Sequence, residues 1–179
     1  MNNLNATPKT GSNVIHIQKQ LVAKERKLER LSLQDFFSKL MDIPPHTLTL
    51  DVFKEMVAQI EWDREFLEKH ILYRPDKKYG WTPVLQTEYV EILTCQWYPG
   101  QQSGIHDHQW SLNVTQVLKG TLTAQLYEIS EQELVLSHEE KLNQGEITGV
   151  ERHPQYHQLL NREAEELLVT LHFYCPARK

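Results

Sequence analysis

Cysteine is scarce in this chain. Only Cys95 and Cys175 occur among its 179 residues. Both sit in apolar, strand-like runs, which excludes a disulfide framework and suits a reducing cytosol. No stretch approaches the ~20 apolar residues a membrane helix needs, and the opening "MNNLNATPKTGSNVIHIQKQ" lacks the apolar core of a secretory signal. A cytoplasmic setting with no membrane partner is therefore expected. A basic excess is missing too: the formal net charge is -5. A summed negative field repels a phosphate backbone, so nucleic acid is excluded as a partner in favour of a small ligand. No fixed-period repeat occurs, and no helix-length spacers divide the β-rich runs of the second half, which argues against a parallel alternating α/β sheet.

What is present fits one domain, with 40% hydrophobic residues and length for one well-packed core. Residues 1–30 are polar, end in the charge-dense "AKERKLER", and are expected to be a flexible tail or a partly formed helix. The expected domain spans 31–179, with a helical leader and access loop over 31–83 and a β-barrel over 84–179. Ser32 and Asp35 open a helix through Leu33, Phe36, Phe37, Leu40 and Met41, which Pro44 and Pro45 stop. A second helix starts near Thr49 and carries Val52, Phe53, Met56, Val57 and Ile60, and "DREFLEKHIL" predicts a short third. The access loop is "YRPDKKYGWTP". Beyond Val84 short β-rich runs alternate with turn residues, giving a mainly β fold of the sandwich or barrel kind.

Histidines carry the chemistry. In a strand, side chains two apart share a face, so His106 and His108 would project together with Asp107 turned away, making two corners of a metal site. A third ligand would come from a later strand, and His138, His153, His157 and His172 are the candidates. Near the C-terminus, alternation sets Thr170, His172 and Tyr174 on one face of "ELLVTLHFY". Such a polar row is costly to bury unless its members bond to one another or to a ligand.

From Gly100, five residues lead to His106, one separates it from His108, four more precede Asn113 and six more precede Gly120. This spacing resembles the first motif of the cupin family, which implies a double-stranded β-helix, or jelly-roll, barrel. Most cupins have Glu where Asn113 stands, as a fourth metal ligand. His157 with Asn161 resembles the second cupin motif, which makes His157 the third ligand.

Together, "WYPGQQSGIHDH", "YHQLLN" and "VTLHFYCPA" resemble the thiol dioxygenase branch of cupins typified by cysteine dioxygenase, over most of residues 32–179. The resemblance implies His106, His108 and His157 as ligands of Fe(II), and Tyr174 as the hydroxyl facing substrate and oxygen, with His172 and Thr170 orienting it in a hydrogen-bonded chain. Mammalian members crosslink their Tyr to a Cys, and Asn113 at that position rules the crosslink out. Cysteine-specific members carry an Arg for the substrate carboxylate in a Tyr-x-Arg site. Here that site corresponds to Tyr79 and Trp81, so a changed substrate is expected, with Arg74, Lys77 and Lys78 as the basic residues that could replace the Arg.

The expected reaction joins a small thiol, cysteine or a mercapto acid, to both atoms of O2 to give a sulfinate. Two alternatives stay open: a metal-dependent cupin of other chemistry, an isomerase or non-thiol dioxygenase, and a non-catalytic small-molecule-binding cupin. The oligomeric state is not readable, and a monomer is compatible with the sequence.

Overall fold

The computed structural model describes residues 30–44 and 46–178. Apart from Arg30, the expected tail lies outside the described residues. Helix α1 (Leu33–Met41) begins where Ser32 accepts the Asp35 backbone N–H at 3.0 Å and donates its hydroxyl to the Asp35 carboxylate at 2.6 Å. The cap satisfies one of the N–H groups that a first turn leaves unpaired. Thr49 caps α2 (Leu50–Ala58) and Asp63 caps α3 (Arg64–Lys69) in the same way. Phe36 and Leu40 of α1 and Phe53, Met56 and Val57 of α2 are buried, whereas Met41 and Val52, at the margins of their apolar stripes, are exposed. Among the described residues no helix is long and apolar enough to cross a membrane.

Eight strands follow: β1 (Gly80–Gln86), β2 (Glu91–Trp97), β3 (Leu112–Lys119), β4 (Leu122–Ser130), β5 (Glu133–Leu142), β6 (Ile147–Val150), β7 (Tyr156–Leu160) and β8 (Leu168–Cys175). They form two antiparallel sheets, ordered β1-β2-β8-β3-β6 and β5-β4-β7. Leu93, Cys95 and Leu168 of the larger sheet meet Leu122, Ala124 and Leu159 of the smaller in one inner core. This is the jelly-roll barrel expected from the sequence. The barrel starts earlier than expected, however, at Gly80 rather than after Val84. Pro83 does not end the strand because β1 lies at a sheet edge and its register shifts between Pro83 and Leu85, the two settings in which a strand tolerates proline.

The larger sheet is covered on both sides, and β8 is buried along its whole length. Leu171 and Phe173 pack outward beneath the helices, while Leu168 and Tyr174 face the inner core, following the two-residue alternation of a strand. Phe173 anchors the outer layer, with ring centroids 5.8 Å from Phe36, 6.4 Å from Phe53 and 6.0 Å from Trp62. Removing such a ring loses its transfer energy and leaves a cavity that rigid sheet and helices fill poorly. Phe173→Ala should cost about 3–5 kcal/mol in urea unfolding, and a loss below ~1 kcal/mol would show that the helical layer does not depend on this contact.

Candidate metal centre

The segment between β2 and β3 runs antiparallel to β7 without becoming a regular strand. Gly100 adopts a left-handed φ of 79°, a conformation glycine takes at no steric cost, and turns the chain back after Trp97. From there the Gly100 N–H bonds Asn161 O at 2.9 Å and the Ser103 N–H bonds Leu159 O at 2.9 Å. His106 and His157 then exchange both backbone hydrogen bonds, at 3.0 and 2.8 Å. The expectation that His106 and His108 lie on a strand is thus corrected. They belong to an irregular segment with an isolated bridge at His106, because Gly104 and the turn at Gln109, whose φ is 51°, break the pairing on either side.

Pairing still brings the rings together. One imidazole nitrogen from each of His106, His108 and His157 lies within 4.8 Å of the other two, and Nε2 of His108 stands 2.8 Å from Nε2 of His157. Two imidazoles sharing one metal through bonds of about 2.1 Å at right angles bring their nitrogens about 3 Å apart, so the spacing fits a shared ion. His106 donates its Nδ1–H to Gly104 O at 2.9 Å, which leaves Nε2 free as a donor atom and fixes the ring. Burial lowers the His108 pKa to about 3, with His106, His172 and Arg178 acting in the same direction. Burial, then His108 and His106, holds His157 well below the ordinary histidine range. Neutral, converging imidazoles are what a divalent cation requires.

Beside them runs a buried hydrogen-bonded chain. Trp97 Nε1–H donates to Thr170 Oγ1 at 2.9 Å, Thr170 pairs with His172 Nε2 at 2.8 Å, and His172 Nδ1 pairs with Thr115 Oγ1 at 3.2 Å. Thr115 donates to Asn113 Oδ1 at 3.2 Å, and Asn113 Nδ2–H donates to Phe173 O at 3.2 Å. An indole N–H can only donate and a carbonyl can only accept, so the two ends fix every proton between them. His172 is the neutral Nδ1–H tautomer, and burial lowers its pKa to about 3, with His157, Arg178 and His106 adding to the effect. The sequence suggested that His172 and Thr170 lead to Tyr174. Instead both His172 nitrogens are taken by threonines, and Tyr174 lies parallel to the His172 ring at 6.3 Å and 12°. Tyr174 remains next to the histidine triad, its ring 5.0 Å from that of His108, and burial raises the pKa of its hydroxyl, which stays protonated. Asn113 is fully buried with both ends of its amide engaged.

The three histidines line a cavity of about 240 Å³ with Tyr79, Trp81 and Tyr174. Tyr79 stacks on Trp97 at 4.4 Å and 20°. Trp81 is 58% exposed. Arg74 does not line the cavity and pairs with Asp76 at 3.3 Å on the preceding loop; Lys77 and Lys78 are also absent from its wall. The basic residue that does line it, Arg178, went unnoticed in the sequence. Its only signal there is its place four residues beyond Tyr174, where the chain leaves the last strand at the barrel mouth. Cys95 also faces the cavity, and burial raises its pKa so that it stays a thiol. His153 is exposed and hydrogen-bonds Asp107, and His138 is exposed on β5, so neither joins the triad.

Known proteins share the architecture of this chain. A family model described as cysteine dioxygenase type I matches residues 49–179. Among solved structures, TT1209 from Thermus thermophilus shares 24% identity, covering 62% of this chain and 93% of that one with a TM-score of 0.52. BH2720 from Bacillus halodurans shares 12% identity over 66% of this chain and 83% of that one, also at 0.52. A protein with a double-stranded β-helix domain from Klebsiella pneumoniae is 17% identical over 62% and 81% of the two chains, at 0.49. The fold is a cupin barrel.

Three buried neutral histidines also make stability depend on pH. In the unfolded chain each titrates near 6.5, whereas folded His108 and His172 resist protonation down to about 3. Between those values the unfolded chain binds more protons, so lowering the pH destabilises the fold by at most about 1.4 kcal/mol per pH unit for each histidine. Above about pH 6.5 the contribution is flat. Urea midpoints of the metal-free protein should be level above that pH and fall steadily below it; a level profile down to about pH 5 would contradict neutral burial.

Proposed function

We propose that this chain, which belongs to the cysteine dioxygenase type I family, is an Fe(II)-dependent thiol dioxygenase. The observation that carries the reading is the convergence of His106, His108 and His157 on the wall of a small cavity that also holds Tyr174. Family membership brings the reaction class, and the donor set fits the metal: three neutral nitrogens leave a divalent cation its full charge, which favours an anionic sulfur ligand. Iron bound there would lower the pKa of a thiol and make O2 reactive toward sulfur.

The chain's own residues provide the rest. Gly104 O holds His106 in its ligating tautomer, and the His106–His157 backbone pair fixes the separation of two ligands. Leu93 and Leu159 on the cavity wall exclude water and strengthen the polar contacts inside. Tyr174, held as a protonated phenol, presents an O–H donor for substrate or oxygen. The buried chain from Trp97 to Asn113 keeps His172 neutral and fixed in orientation behind that phenol. Cys95, kept as a thiol, does not compete as a thiolate for the metal.

The reaction balances without a further reductant. A thiol and O2 give a sulfinic acid: sulfur loses four electrons, the two oxygen atoms gain four between them, and the thiol proton is released as the sulfinate forms. Both cysteines are free and buried, which supports a reducing compartment such as the cytosol.

Mass spectrometry of products tests the proposal. Iron-loaded protein incubated in air with cysteine, 3-mercaptopropionate and 2-mercaptoethanol should add two oxygen atoms to at least one of them, with both atoms labelled when ¹⁸O2 is used. His157→Ala should lose metal binding by 10- to 100-fold or more and abolish the product. Disulfide or singly oxygenated products alone would sink the assignment.

A further inference from the structure

The outer strand of the smaller sheet has an open edge. β5 pairs with β4 on one side, and among the described residues nothing pairs with its other side. Proteins blunt such edges with charge, proline or a bulge, because free N–H and C=O groups are a template for another strand. The second half of β5 is blunted in this way. Its register shifts opposite Leu126 and Tyr127, where Ser137 donates its hydroxyl to Leu126 O at 3.3 Å, and the charged Glu139, Glu140 and Lys141 follow. The first half carries Leu134, Val135 and Leu136 instead, each between 42% and 49% exposed. Leu134 is the register partner of exposed Ile129, so the apolar surface continues onto β4.

The hairpin turn decides which backbone groups are free. Glu131 and Gln132 both have positive φ, 50° and 70°, as in the primed two-residue turn that closes on a hydrogen-bonded pair. That pair is Ser130 and Glu133. Hydrogen-bonded and non-hydrogen-bonded pairs alternate along an antiparallel ladder. Val135 therefore directs its N–H and C=O toward Glu128, while those of Leu134 and Leu136 point away from β4.

A second copy of the same edge fits these free groups in one register. When the strands run antiparallel about a two-fold axis at Val135, each Leu134 exchanges both backbone bonds with the mate's Leu136, and Val135 meets its own mate in the closer, non-hydrogen-bonded arrangement. Apolar side chains then oppose apolar ones, and Glu133 opposes Ser137. An axis at Leu136 would set Leu134 against His138 and Glu133 against Glu139. One at Leu134 would set Glu133 against Val135 and Leu136 against the turn residue Gln132. Opposed like charges are unfavourable, and apolar residues set against polar ones lose their packing. An axis between residues would oppose free groups to groups already bonded to β4.

We propose that β5 is a homodimer interface, in which two copies pair from Glu133 to Ser137 about Val135 and join their smaller sheets into one. The inference does not rest on the thiol dioxygenase reading. β4 lies between this edge and β7, which carries His157, so each copy keeps its own histidine triad. A ladder this short belongs with the weak, transient class of interfaces, and the dimer should form in a concentration-dependent way.

Sedimentation equilibrium of the wild type at micromolar to near-millimolar loading should show monomer and dimer with no larger species, because a two-fold contact closes on itself. Val135→Lys sets two ammonium groups face to face and should raise the dissociation constant at least about tenfold. Lysine is well tolerated at an exposed edge, and circular dichroism checks the fold. Val135→Cys decides the question should the lysine variant not fold. It should form a disulfide-linked dimer on mild oxidation, since a non-hydrogen-bonded pair holds its Cα atoms about 4.5 Å apart, within disulfide reach, and native Cys95 and Cys175 are buried. Ile129→Cys, more exposed but one strand removed from the axis, should not crosslink under the same conditions. A wild type that stays monomeric, a dimer indifferent to Val135→Lys, or equal crosslinking of the two cysteine variants overturns the proposal. A monomer whose Leu134 and Leu136 amides are protected from hydrogen exchange overturns it too, and gives the edge to the chain's own residues 1–29.

Discussion

The pair of backbone hydrogen bonds between His106 and His157 is the constraint on which the site depends. These residues lie far apart in sequence, yet exchanging both bonds, at 3.0 and 2.8 Å, sets their Cα atoms at the separation of antiparallel partners. Ring convergence then follows from backbone pairing, and only His108 must be placed separately. Asn161 reinforces the arrangement at the other end of the segment. Its buried amide donates to Trp97 O at 3.0 Å and Glu166 O at 2.8 Å, holding β2 and the chain after β7 against each other. An irregular segment can thus place two of the three histidines accurately, because the regular strand beside it supplies the reference.

Strand β8 couples this site to the rest of the fold. Phe173 on one face is packed among aromatic rings beneath the helices, while His172 and Tyr174, on either side of it in sequence, face the cavity. The Phe173 carbonyl also ends the polar chain that begins at Trp97. A buried chain of this kind is favourable only when every member is satisfied, and here its two ends, an obligate donor and an obligate acceptor, leave one arrangement of protons. Asn113 suits it for the same reason that it makes a poor ligand: both ends of its amide are engaged. A carboxylate there would accept from Thr115 but could offer no N–H to Phe173 O, and it would add a buried charge.

The parts of the molecule most readable in the sequence are those set by short-range periodicity. Ser32 and Thr49 mark their helices, and the alternation of β8 separates Phe173 from His172 and Tyr174 with no other information. Motif spacing likewise selects His157 over His138 and His153, whose exposed positions match their polar neighbours. Other features depend on partners distant in sequence. β1 continues through Pro83 because of its edge position, and the His106 segment is irregular because Gly104 interrupts it. The partner of His172 Nδ1 could not be read from a Thr-x-His-x-Tyr row, since Thr115 comes from β3.

Arg178 is the sharpest case, because the cation on the cavity wall comes from the segment after β8 and not from the loop that carries Arg74, Lys77 and Lys78. The histidine triad depends on pairing along β7, whereas the cavity mouth is built from ends of several strands and their loops. A cation at the mouth can therefore be delivered by any of these elements, provided that something holds it in place. At the position of Trp81, on edge strand β1, a basic side chain would lie near open solvent, where its charge is screened and its rotamers are many. Arg178 instead leans on Tyr174 and is gripped by Glu91, so much of the entropy of fixing a long side chain is lost on folding rather than on binding. Its Nε and Nη2 donate to the Glu91 carboxylate at 2.7 and 2.9 Å and its Cζ lies 4.1 Å from the centre of the Tyr174 ring, so the C-terminal segment sets an already ordered cation on the cavity wall.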